Sequence, residues 1–307
     1  MFFVTSWLHL TGENAVMKSI TQLCGAVVVA GLAAGVLASA QIPLEPAKQF
    51  GTGVTPSYEG WFDNPDGTHN FLVGYLNRNR AQDVDVPIGP NNRIEPGGPD
   101  MGQPTHFLQG RQIGMFIVTV PKEFTKDQRL TWTITINGQT NAIPFKMNAD
   151  YNVSPLKDAA IGNTPPVIRF AEAGPTVQGP LGALAKAVTR KASVATPLEL
   201  PVWTDDDALY TSGTNAPLRG TPTPVSLRWS KYRGPGTVTF DKPRPGVDKI
   251  QGGGVGEPFK GKGTVTAKFS EPGEYVLHVI ANDYSGDGGG GEICCWTNSM
   301  VKVTVTP

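Results

Sequence analysis

Apolar residues along this chain recur at intervals of two rather than three or four. In 130–136, Leu130, Trp132, Ile134 and Ile136 alternate with Thr131, Thr133 and Thr135, the period of a strand with one buried and one wetted face. That run meets Asn137-Gly138 and then a second β-prone run at 139–146. Asn-Gly readily supplies the two positive-φ residues of a two-residue hairpin turn, so 130–146 is predicted to be a hairpin. Another is expected where runs at 58–62 and 68–77 flank Asp63-Asn64-Pro65-Asp66-Gly67, because Pro presets one turn dihedral and Gly allows a positive one. A further strand is read at 111–120, and seven more at 167–170, 198–204, 225–230, 237–240, 264–269, 273–281 and 299–306. Long 3.6-residue periodicity is missing, so the expected fold class is all-β: two antiparallel, Ig-like β-sandwich domains.

Alternation also assigns faces. In 273–283, Tyr275, Leu277, Val279 and Ala281 share one side, which puts His278 on the other as a surface residue,. Val301, Val303 and Val305 alternate with Lys302, Thr304 and Thr306 in the same way. Residues 87–109 carry Pro, Gly or Asn at nearly every second position and form a long loop of unassigned role,. The glycine runs at 252–256 and 288–291 read as flexible loops rather than phosphate cradles, since both lie between strands,. Gly162-Asn163-Thr164-Pro165-Pro166 breaks periodic structure,. It divides the chain into a first sandwich at 41–158, a linker at 159–166 and a second sandwich at 167–307, each with strands enough to fold alone,.

Composition narrows the compartment and the partners. The apolar run 26–37 is short and rich in Ala and Gly, Met17-Lys18-Ser19 supplies a basic start, and Ala38-Ser39-Ala40 is a small-residue cleavage pattern. Residues 1–40 therefore read as a signal peptide whose true start is Met17, and the mature chain begins at Gln41, secreted or periplasmic and without a membrane span. Cys24 lacks the context of a lipid-anchor site. Only 17% of residues are charged, with Lys+Arg and Asp+Glu at 26 each, a balance that offers no field for nucleic acid. Cleavage leaves Cys294 and Cys295. In an oxidising compartment they are expected to form a vicinal disulfide that clips the preceding loop and Trp296 to the last strand, with two free thiols or bonds to another chain as the alternatives.

Several segments together carry a resemblance. Asn163-Thr164-Pro165-Pro166-Val167, Ser226-Leu227-Arg228-Trp229-Ser230, the run Gly234-Pro235-Gly236-Thr237-Val238-Thr239-Phe240 and Glu271-Pro272-Gly273-Glu274-Tyr275-Val276-Leu277 resemble the core of a PKD or cadherin-like Ig-fold domain. The likeness covers the second half only; the first half resembles no named family. It implies an extracellular β-sandwich used as spacer, adhesion module or companion to a secreted enzyme, with Trp229 at the place of the core tryptophan and no catalytic residues carried across. The long Gly-rich stretch 285–296 departs from that pattern.

Chemistry-bearing motifs are sparse. Neither a G-x-S-x-G elbow nor an H-E-x-x-H helix is present,, and no cofactor is expected. Sandwich topology places the loops after the second and sixth strands of the second domain at one end, bringing Asp205, Asp206 and Asp207 towards Asp283 and Asp287 as a candidate calcium cluster,. His69, Met101 and His106 are soft-metal donor types, but their spacing is unconstrained and they are read as loop hydrogen-bonding groups,. Tyr58, Trp61, Tyr75 and Tyr232 are candidate sugar-stacking aromatics whose bulk is expected mainly in the cores,. The expected function is a non-catalytic extracytoplasmic binding or structural module (adhesion, spacer or protein-protein recognition), not an enzyme; the alternative is an accessory subunit of a secreted enzyme that recognises polysaccharide or a partner protein.

Overall fold

The structure is a computed structural model that describes residues 48–158, 162–209, 224–254, 257–283 and 294–307. The proposed signal peptide, residues 159–161 of the linker, Asp287 and the 288–291 glycine run lie outside the described residues. Every regular element described is a strand or a single 3₁₀ turn. The first half holds β1 (Val54–Asp63), β2 (His69–Asn77), β3 (Val84–Asp85), β4 (Asn92–Glu95), β5 (His106–Phe107), β6 (Gly110–Val120), β7 (Leu130–Ile136) and β8 (Gln139–Phe145). The second holds β9 (Val167–Arg169), β10 (Val177–Gln178), β11 (Val188–Ser193), β12 (Leu198–Asp206), β13 (Val225–Arg233), β14 (Val238–Phe240), β15 (Val247–Gln251), β16 (Phe259–Phe269), β17 (Gly273–Asp283) and β18 (Trp296–Thr306).

The two predicted hairpins form. β7 pairs with β8 in a register that closes at Ile136 opposite Gln139, and Asn137 and Gly138 take φ of 52° and 72°, the paired left-handed values of a type I′ turn. β1 pairs with β2 through a bulge between Tyr58 and Gly60. Its turn is closed by Asn64 N–H donating to the Thr68 carbonyl and by the Asp66 carboxylate accepting from the Thr68 N–H and hydroxyl.

Four main sheets, β4-β7-β8, β1-β2-β6, β11-β18-β17-β13 and β10-β9-β12-β16-β14 with β15 added to β16, build the molecule. Between the first two, Phe71 and Tyr75 of β2 and Phe116 of β6 meet Phe107, Trp132 and Phe145. Between the last two lies a second core of Leu200, Val202, Leu227, Trp229, Val265, Tyr275, Leu277, Val279, Val301 and Val303. Among the described strands the pairings are antiparallel except β11 with β18, which is parallel.

The halves are not separate. Val276, Ile280, Trp296, Met300 and Tyr232 of the second half belong to the same apolar cluster as Leu72, Met115 and Ile117 of the first. β1-β2-β6 therefore packs against the outer face of β11-β18-β17-β13, and β2, β6, β17 and β18 are buried almost end to end. Gly114 makes the approach possible: a Cβ there would lie 2.3 Å from the Trp296 ring, and its φ of +51° disfavours any other residue,. Asn298 Nδ2 donates to the Gly114 and Met115 carbonyls, the latter at 3.2 Å, and Ile117 N–H donates to the Gly182 carbonyl at 3.2 Å. Burial of five large side chains at this seam stabilises it by on the order of 10 kcal/mol as an upper bound. The outer face of the second sandwich is thus core rather than surface.

The 87–109 stretch also gains a role. It is ordered around a fully buried Asn92, whose side-chain amide donates to the Val86 and Pro104 carbonyls and whose Oδ1 accepts from Trp132 Nε1. Its far end grips β13: Tyr232 Oη donates to the Gly102 carbonyl at 2.6 Å, Arg233 forms two bonds to Asp100 at 2.9 and 2.8 Å, and Thr105 N–H donates to the Tyr232 carbonyl. It is a strap across the two halves.

Candidate functional site

The predicted aspartates of the second sandwich stand where β12 and β17 end. β12 alternates, so Leu200, Val202 and Thr204 face the core and Asp206 follows them inward, while Asp205 points to the opposite face,. There Asp205 pairs with Arg169, Arg169 Nη2 reaching Oδ1 at 3.1 Å and Nη1 reaching Oδ2. Asp205 is thereby removed from the expected calcium cluster: three consecutive aspartates at a strand end cannot share one side. Asp207 holds the linker, its Oδ2 accepting from the Thr164 N–H at 2.9 Å and hydroxyl at 2.8 Å. Asp283 is buried and accepts from Asn163 Nδ2 at 2.5 Å. Asp287 lies outside the described residues.

Asp206, Asp207 and Asp283 thus surround the Asn163-Thr164 corner, and the electrostatics record it. Burial pushes the Asp206 carboxyl up to about 7; the Ala208 N–H, 2.9 Å from its Oδ2, opposes this, and the nearby Asp283 and Asp207 charges add to it,. Its Oδ1 is buried without a hydrogen-bond partner. Among the described residues no group of three or more His, Cys, Asp or Glu is arranged to hold a metal ion.

The cysteines close the same corner. Cys294 and Cys295 are joined by a disulfide, are 5% and 1% exposed, and place their sulfurs 3.9 and 3.6 Å from the Asn163 carbonyl oxygen. Trp296, expected to be fixed against the last strand, is itself the first residue of β18 and is fully buried in the seam against Gly114.

The other candidates disperse. His69 Nδ1 lies 2.6 Å from Asp63, and His106 Nδ1 lies 2.9 Å from Asp85, which Lys231 approaches at 3.2 Å. Tyr75 and Tyr232 are buried core rings. Tyr58 and Trp61 are half-buried; Tyr58 stacks on Tyr151 at 5.4 Å, and Trp61 Nε1 donates to the Asn148 carbonyl at 2.7 Å, so both are used to fasten the segment after β8.

His278 is the residue that alternation misplaced. Far from being on the surface, it is completely buried in the seam, 5.6 Å from the Tyr232 ring, and neither ring nitrogen has a sound hydrogen bond. Burial lowers its pKa to about 3; the Arg228 cation works in the same direction, and the Met115 backbone opposes with the smallest effect,. The signal lay in the residues around it, since Tyr275-Val276-Leu277-His278-Val279-Ile280-Ala281 is nearly continuous apolar sequence, the mark of a strand covered on both faces.

No protein-family model matches this chain, and no curated protein matches it in sequence. Among solved structures, the crystal structure of the S-layer protein SbsC domains 4 and 5 aligns over 83% of this chain and 98% of that one, at 11% identity and a TM-score of 0.22. A likeness that low carries no argument about fold details or function.

Proposed function

We propose that the chain is a non-catalytic extracytoplasmic module, structural or partner-binding, whose sandwiches at 41–158 and 167–307, joined at 159–166, work as one rigid unit. The observation that carries this reading is the stack of four sheets in which β1-β2-β6 and β11-β18-β17-β13 are buried on both faces. A module built to bend at its linker would keep a wet or polar interface there; this one fills the seam with Trp296, Met300 and Ile280. A buried disulfide supports an oxidising compartment,, and no helix among the described residues is long and apolar enough to cross a membrane.

Two measurements test the reading. Fractionation with N-terminal sequencing is expected to find the protein outside the cytoplasm beginning at Gln41; a chain retained in the cytoplasm with its first forty residues overturns the location. Calorimetry of the full chain is expected to show one cooperative transition, and two resolved transitions overturn the rigid unit. The second reading, an accessory role in recognising polysaccharide, is favoured by one cavity at the end of β2.

A further inference from the structure

The end of β2 and the three residues after it alternate between exposed and buried: Leu76, Arg78 and Arg80 outward, Asn77 and Asn79 inward at 1% exposure each. The inward amides lock the segment. Asn77 Nδ2 donates to the Gln82 carbonyl at 2.9 Å and the Phe107 carbonyl at 3.1 Å. Asn79 Nδ2 donates to the Thr52 carbonyl and to Asn77 Oδ1, while its own Oδ1 accepts from the Thr52 N–H at 2.8 Å. Arg78 N–H and Arg80 N–H donate to the Gly53 and Lys48 carbonyls, both at 3.2 Å. The outward residues therefore ride on a fixed backbone, which is what a preorganised site requires.

What they line is a cavity of about 450 Å³ bounded by Leu76, Arg78, Arg80, Gln109 and Gly110 with the two asparagines, inside the size range of small-molecule sites. Among the described residues no carboxylate lines it; Asp83, outside the lining, accepts from the Gln109 N–H at 2.9 Å. Elsewhere Arg93, Arg111, Arg169 and Arg233 each reach an acidic side chain. Arg78 and Arg80, like the isolated Arg129 and Arg244, have exposed side chains with no hydrogen bond or ion pair to any described residue, but these two stand together on one cavity. They stand two residues apart in the segment that follows β2, and two like charges in water repel by about 1 kcal/mol or less. An anion seated between them turns that repulsion into two attractions.

We propose that this cavity binds a carboxylate-bearing saccharide, a uronic acid unit of an acidic glycan. The two guanidinium groups suit a planar carboxylate, to which arginine binds through paired N–H donors. The Gln109 side chain, exposed and unpartnered among the described residues, offers a donor and an acceptor for ring hydroxyls. Leu76, 38% exposed, presents an apolar patch to the C–H face of a sugar ring. A bare phosphate or sulfate uses the arginines and leaves Gln109 and Leu76 idle, which is why the observations favour the saccharide. The inference deepens the binding side of the proposed module but is independent of where the protein resides, so a cytoplasmic location would leave it standing.

Titration of the full chain with trigalacturonate, maltotriose and inorganic phosphate, at low salt and followed by calorimetry, tests this. Trigalacturonate is expected to bind, maltotriose at least ~10-fold more weakly, and phosphate likewise, since each lacks one part of the recognition. The double variant Arg78→Gln/Arg80→Gln is expected to lose at least ~10-fold in trigalacturonate affinity with an unchanged melting temperature, because both side chains are unpaired and exposed. Arg129→Gln, an exposed arginine at the opposite end of the β2–β6 pair, is the control and is expected to have no effect. The proposal is overturned by absence of trigalacturonate binding at millimolar concentration, by equal binding of maltotriose or phosphate, or by equal losses in the double variant and the control.

Discussion

The seam between β2–β6 and β17–β18 and the acidic end of the second sandwich each withdraw a titratable side chain from water, and burial favours its neutral form by shifting its pKa in opposite directions,. In the seam burial disfavours the imidazolium of His278 and the Arg228 cation adds to this, so its pKa falls to about 3,. At the acidic end burial and the charges of Asp283 and Asp207 disfavour the Asp206 carboxylate and push its pKa up to about 7, so it holds its proton under mildly acidic conditions,. The seam is held by shape, through Gly114 against Trp296, whereas the acidic end is held by polar ties from Asn163, Thr164 and Ala208. Close packing tolerates little change, so the largest mutational effects belong to the seam and the pH response distinguishes the two regions.

The strongest way to break the seam is to overfill its close approach at Gly114. Gly114→Val places a branched side chain where a Cβ already lies 2.3 Å from Trp296, on a backbone with positive φ. Overpacking and backbone strain together are expected to cost about 3 kcal/mol or more, lowering the melting temperature by roughly 6 °C or more for a chain of this size. Combining Gly114→Ala with Trp296→Leu is expected to destabilise less than the sum of the two single changes, a coupling that a double-mutant cycle by denaturant titration would measure. Simple additivity would mean that the two residues do not share that contact. For the same reason a fragment of 163–307 is expected to be insoluble or to melt without cooperativity, since it exposes Trp296, Met300 and Ile280.

Protonation sharpens the contrast. The folded pKa of His278, about 3, lies below its ordinary 6.5. The unfolded chain thus takes up the proton first, and His278 costs stability as pH falls from 6.5 towards 3, by about 1.4 kcal/mol per unit. The folded pKa of Asp206, about 7, lies above its ordinary 3.8. Here the folded chain takes the proton first, so stability rises as pH falls from 7 towards 3.8. Between pH 6.5 and 3.8 the two slopes oppose one another, and the stability of the natural protein is expected to vary little from these groups. His278→Met should leave a protein that gains stability on acidification in that window; Asp206→Asn should leave one that loses it. Urea midpoints at pH 7, 5.5 and 4 would read both, and parallel profiles for the two variants would show that these residues do not set the response.

Much of the architecture was legible because alternation is a local signal: 130–136, the Asn137-Gly138 turn and the β1–β2 hairpin needed nothing beyond their own sequence. What alternation cannot reveal is how many faces of a strand are covered. β17 shows Tyr275, Leu277, Val279 and Ala281 to one core, and the sequence alone does not announce a third sheet over Val276, His278 and Ile280. Asp205 parts from Asp206 and Asp207 for a reason the same rule contains, since period two separates Asp205 from Asp206,. Short pairings such as β3–β5 and the parallel edge β11–β18 are set by tertiary contacts, so no local pattern marks them. The paired arginines at 78 and 80 escaped notice because a cation acquires meaning only when its lack of a carboxylate partner can be seen.

The smallest effect is expected at the disulfide. A crosslink stabilises chiefly by denying the unfolded chain part of its freedom, and that contribution shrinks with the length of the loop it closes. Cys294 and Cys295 are neighbours, so the loop is the shortest possible and the contribution is about 1 kcal/mol. Packing of the sulfurs against the Asn163 carbonyl ties this turn to the linker, but Asn163 is also held through Asp283 and its neighbour Thr164 through Asp207, so the acidic end keeps those ties when the bond is cut. Intact mass under non-reducing conditions is expected to be two hydrogens below that of the reduced monomer. Strong reductant is expected to shift the melting temperature by no more than about 2–4 °C. A fall comparable with that of Gly114→Val would mean that the disulfide, rather than the polar ties around Asn163, holds this end of the sandwich together.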